Sequence, residues 1–252
     1  MKNAMPPRPS RPRPARPGAP FAAAIVLLAA GCSGTGQPEI AYDAHAVGTP
    51  SREIAAGDWT VTLDEATVAF GPVLLCASAS GSATLCETAL SEITDIARID
   101  ALDPEPQRIG VVRGFTGTIR SASFDFGIHW FMTESSPVAA PAAPGGHSAR
   151  LRGRATRGDE ALDFTADVKV LAQFQGQRAV TSVPANATVG EEGAVLTVHF
   201  DPSAWVAAID FDELAAEAPG SAAITPGDRA HDAIVIALVA QRPPELVWSA
   251  PP

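Results

Sequence analysis

Positive charge is scarce in this chain. Of 252 residues, 18 are Lys or Arg against 28 Asp or Glu, a formal charge of −10. A general nucleic-acid binder needs a basic surface for the phosphates, so that class is excluded. Long apolar runs are also missing. The longest, Phe21–Ala30, is ten residues, about half of what a membrane-spanning helix takes. Cysteine is limited to Cys32, Cys76 and Cys86, with no C-x-x-C spacing for a redox or metal-binding thiol pair. Catalytic signatures are lacking as well: there is no G-x-S-x-G, H-E-x-x-H, P-loop or EF-hand calcium loop. The serines of 77–84 have no histidine near them in sequence. Finally, charged residues make up 18% and hydrophobic residues 46% of the chain, which suits a folded core and not a solvated disordered chain.

What is present begins with a delivery signal. Residues 1–19 hold Lys2, Arg8, Arg11, Arg13 and Arg16 and no acid; the apolar run then ends in Leu28-Ala29-Ala30-Gly31-Cys32. Basic region, short apolar region and small residues follow the order of a secretory signal peptide, expected over 1–31. The Ala-Ala-Gly-Cys ending resembles the lipobox of bacterial lipoproteins, with Leu28 four places before the Cys where that family prefers three. The resemblance implies a diacylglyceryl thioether on Cys32, cleavage before it, and acylation (palmitate or similar) of the new amino terminus. Two or more chains, at about 0.8 kcal/mol per buried CH₂, would hold the protein on a membrane. Ser33 after the Cys, under that family's sorting rule, implies the outer membrane in a diderm cell and otherwise the outer face of the cell membrane. Loss of 1–31 leaves 13 basic against 28 acidic residues, a charge of −15, with Lys169 the one remaining lysine.

Residues 33–56 are small and polar without an apparent hydrophobic period, and a flexible tether is expected over 32–57 ahead of a domain over 58–252. Export to an oxidising compartment and the flexible loop between Cys76 and Cys86 predict a disulfide between them, worth about 2–3 kcal/mol. From Trp59 the pattern has period two. Trp59, Val61 and Leu63 alternate with polar residues, and the phase then switches to Val68 and Phe70, which requires a bulge near Glu65 and Ala66. A short helix is expected from Thr88 to Ile96. A strand follows over 118–132, with Phe124, Phe126, Ile128, Trp130 and Met132 on one face opposite Asp125 and His129. The clearest alternation runs from Leu162 to Phe174, with neighbours at Arg150–Thr156 and Val195–Phe200. Such strands pair antiparallel and close their apolar faces on each other. The expectation is therefore a mainly β fold, an antiparallel β-sandwich of immunoglobulin-like or jelly-roll-like type. One to three short helices are expected toward the C-terminus, started by Asp201-Pro202 and Asp210-x-x-Glu213.

Candidate sites are few. His199 and Asp201 lie two apart on a strand, so both side chains project from one face toward a shared metal ion, and His129 is a candidate third ligand. The weightier reading is a surface histidine beside a helix cap. Asp95, Asp100, Asp103 and Glu105 could offer oxygen ligands to Ca²⁺, but at irregular spacing. The four tryptophans fall on or beside apolar registers and read as core. His45 and His147 are expected in solvent, and His231-Asp232 as an exposed pair. The segments Trp59–Asp64, Leu151–Thr156 and Leu196–Asp201 resemble uncharacterised β-sandwich lipoproteins, some of them similar to copper-binding partners of methanobactin systems. Those relatives carry a second histidine just after the His-x-Asp step, where this chain has Pro202 and Ser203. The leading expectation is a non-enzymatic, lipid-anchored envelope protein that binds another protein, a polymer or a small ligand without a cofactor. A metal-binding lipoprotein and a hydrolase without recognisable motif are the alternatives.

Overall fold

Alternation of buried and exposed residues along nearly every segment produces a β-rich body. The structure, a computed structural model, describes residues 36–50, 53–79 and 89–251. Its first half contains β1 (Glu39–Val47), β2 (Ile54–Ala56), β3 (Trp59–Phe70), β4 (Val73–Cys76), β5 (Ala89–Ile93), β6 (Ala97–Asp100), β7 (Gln107–Phe115) and β8 (Gly117–Phe124). The short pair β9 (Ile128–His129) and β10 (Val138–Ala139) follows, then β11 (Ala149–Arg157), β12 (Glu160–Val168), β13 (Val180–Val189) and β14 (Val195–His199). Helices α1 (Ser203–Ala207) and α2 (Phe211–Glu217), β15 (Ser221–Ile224), α3 (Arg229–Ile236) and β16 (Glu245–Ser249) complete it.

Eight strands form one sheet in the order β13-β8-β4-β5-β7-β1-β14-β16. The second runs β15-β12-β11-β3-β2, with β6 also paired to β3. The mainly β architecture of packed sheets with three short helices near the C-terminus is the expected one. Two pairings, β1 with β14 and β12 with β15, are parallel; each joins strands separated by long stretches of chain. Side chains from both sheets share one core. Phe70 sits at its centre, with ring centroids 5.1 Å from Phe124, 5.3 Å from Phe200 and 6.2 Å from Phe126. A second aromatic group, Trp59, Phe164 and Phe211, docks α2 against the six-stranded sheet.

Several local expectations are corrected. From Glu39 on there is no tether: β1 lies inside the large sheet between β7 and β14, and Ala44 and Ala46 are fully buried. Its inward face is Ile40, Tyr42, Ala44 and Ala46, so alanine filled positions where a large apolar residue would have shown the period. β2 falls within the same expected tether, so the body starts by Gln37 rather than residue 58. The helix expected from Thr88 to Ile96 is instead β5 over Ala89–Ile93, filling the sheet between β4 and β7, followed by a short irregular stretch ahead of β6. The long strand over 118–132 stops at Phe124, because Gly127 takes φ +69° and the chain leaves the sheet. Phe126 and Ile128 remain buried, whereas Met132 is 73% exposed. The phase switch in β3 is a bulge at Asp64: Arg152 faces Glu65 and Gly153 faces Leu63. Gly153 is obligatory there, since a Cβ would run into the Thr62 carbonyl oxygen.

Residues 1–31 and 32–35, including Cys32, lie outside the described residues, as do Ser51, Arg52 and 80–88 with Cys86. Among the described residues no helix is long and apolar enough to cross a membrane.

Candidate functional site

Strand β14 delivers His199 to the sheet end, where Glu245 of β16 faces it across the antiparallel pair. Three residues on, the chain turns into α1, and Asp201, one residue ahead of the N-cap Pro202, closes that turn. Its Oδ1 accepts the Ser203 N–H at 3.0 Å and also the Ser203 hydroxyl. Around these residues is an open groove of about 1030 Å³. Ile54, Leu63, Leu102 and Phe200 contribute apolar surface to it; Glu53, His199, Asp201, Arg242 and Glu245 contribute the polar groups. The two expected metal ligands therefore share a groove, but the Asp201 carboxylate already serves a helix start.

His129 does not join them. It sits on β9, stacked on Phe131 at 4.4 Å, with Nε2 3.7 Å from Glu134 and a buried Nδ1 that has no hydrogen-bond partner. Among the described residues no three His, Cys, Asp or Glu side chains converge as a metal ligand set. The calcium candidates turn onto their own backbone: Asp100 accepts the Leu102 N–H at 3.0 Å, and Asp103 the Glu105 N–H at 2.9 Å.

The strongest electrostatic feature was not visible in the sequence. Asp125, read there as the polar side of a strand, is fully buried. Arg178 donates to its Oδ2 at 2.9 Å, and the Ala179 N–H donates to Oδ1 at 2.7 Å. Burial pushes the carboxyl above the usual aspartate range, opposed by the Ala179 hydrogen bond and the Arg178 charge. The partners lie 53 and 54 residues away in sequence, too far for any local pattern to reveal them.

The chain matches no family model, no curated protein and no solved structure.

The other polar side chains singled out hold the fold. His231 is buried, not exposed: its Nε2 accepts the Lys169 N–H at 3.1 Å just beyond β12, and Nδ1 faces Asp232. His45 and His147 are partly buried, His45 on β1. All four indole N–H groups have acceptors: Asp212 for Trp59, Tyr42 for Trp248, and the backbone carbonyls of Glu134 and Arg242 for Trp130 and Trp205. Asp212 also pairs with Arg157, which stacks over Trp59 at 4.5 Å. The Trp59 and Arg157 hydrogen bonds hold the Asp212 carboxyl below its ordinary value. Cys76, at the end of β4, is disulfide-bonded.

Proposed function

We propose that this chain is a lipid-anchored protein of the bacterial envelope, acylated at Cys32, whose β-sandwich acts as a binding module and not as an enzyme. The observation that carries the reading is the sequence order of basic region, ten-residue apolar run and Ala-Ala-Gly-Cys, ahead of a body that starts by Gln37. We pair Cys76 with Cys86, in keeping with an oxidising compartment. The binding reading is supported by the use of polar side chains in the body: Asp125, His231 and Asp201 each stabilise a junction between elements. The groove beside His199 is the surface we assign to a ligand or envelope partner.

Replacing Cys32 by Ser tests the anchor. Under this reading the variant moves from the membrane to the soluble fraction; continued membrane association overturns it. A second reading, metal binding by His199 and Asp201, draws on their sharing the groove with Glu245. Metal analysis of the purified protein decides it. A stoichiometric metal lost in His199→Ala supports this reading, and a metal content unchanged by that substitution removes His199 as a required ligand.

A further inference from the structure

We infer that the apolar loop pair beside Asp125 is a self-association surface on which a second copy of this chain docks. Phe131, Met132, Val138, Leu171 and Phe174 are 42, 73, 41, 42 and 56% exposed. They come from two segments only, the β9–β10 hairpin and the stretch following β12. These segments are tied together. The Gln175 side-chain amide donates to the carbonyls of Met132 at 2.9 Å and Glu134 at 2.6 Å, and the Gly176 N–H donates to the Trp130 carbonyl at 2.7 Å. Arg178, held by the buried Asp125, lies over the Phe131 ring at 5.6 Å. The loops are thus ordered before a partner arrives, and docking carries little of the usual cost of ordering them.

Charge and area select the occupant. Across residues 131–139 and 171–178 the charged side chains are Glu134 and Arg178, the latter paired with the buried Asp125, in a chain of net charge −10. A cationic partner finds almost no complement there, whereas two acidic copies repel least where their own charge is absent. The five side chains expose roughly 450 Å² of apolar surface, in the range of patches that mark interaction sites. Two such faces bury about 900 Å² of apolar surface between them, the range of a weak and transient dimer.

The test uses the full chain carrying a photo-activated benzoylphenylalanine at position 132, produced together with two different epitope tags. The inference requires a light-dependent product of twice the chain mass that contains both tags. Adding Phe174→Asp should reduce it at least tenfold, with an unchanged circular dichroism spectrum. The same crosslinker at Thr156, exposed on the six-stranded sheet, should give none. No product of twice the mass, adducts only with lipid, with another protein or within the chain, or a product insensitive to Phe174→Asp each overturns the inference. None of these results depends on whether Cys32 is acylated.

Discussion

Replacing Arg178 by Ala strands a fully buried carboxylate. Asp125 has no exposed surface, and its counter-charge, the Arg178 guanidinium, has a side chain 17% exposed. Breaking a buried pair from one side costs about 3–5 kcal/mol, because the remaining charge loses its compensation. The Ala179 N–H stays on Asp125 Oδ1 and Arg178 is not fully buried, so the lower end, about 3 kcal/mol, applies. For a body of this size that is a fall in Tm of roughly 6–12 °C. Thermal unfolding followed by circular dichroism measures it. The double variant Asp125→Asn with Arg178→Met removes both charges and keeps an acceptor for Ala179, so it should recover part of the loss. An Arg178→Ala variant melting within about 2 °C of the parent would refute the argument that the pair holds this corner.

The same carboxyl sets a pH dependence. Its value is raised in the folded state, so the folded protein binds the proton more tightly than the unfolded chain. The stability it contributes is fully present below the unfolded aspartate value and is lost as pH rises through the folded one. The parent should therefore lose stability relative to Asp125→Asn across that window in urea titrations; a relative gain would contradict the assignment. Gly153→Ala should cost about 1–3 kcal/mol in urea unfolding, because the new Cβ meets the Thr62 carbonyl at the β3 bulge. Asp210→Ala should cost about 1 kcal/mol by the same assay, since Asp210 caps α2 by accepting the N–H groups of Asp212 and Glu213, each at 3.1 Å.

Legibility followed the size of the side chains and the range of their partners. β12 was plain because Leu162, Phe164 and Val168 mark three of the four inward positions of its pleat with bulk. β3 declared both itself and its bulge, displaced by one residue, because the phase of large apolar residues must change when an extra residue enters one strand. β1 hid behind two alanines, although it holds a central place in the larger sheet. α2 was announced by Asp210, whose capping bonds reach only two and three residues ahead. Asp125 and His231 were misread for the opposite reason. Arg178 lies 53 residues from Asp125 and the Lys169 N–H 62 residues from His231, and a polar residue whose buried partner is that remote reads as solvent-facing in a sequence. Of the candidate metal ligands, His199 and Asp201 come together because their spacing is local, while His129 belongs to another corner.

The central claim, a lipid-bearing terminus on a sheet-built body, is tested most directly by mass spectrometry of the intact protein extracted from membranes. The account predicts a chain that begins at Cys32 and carries a diacylglyceryl group, with or without a further acyl chain on its amine. A mass matching an unmodified chain that still begins at Met1 or Met5 would contradict it.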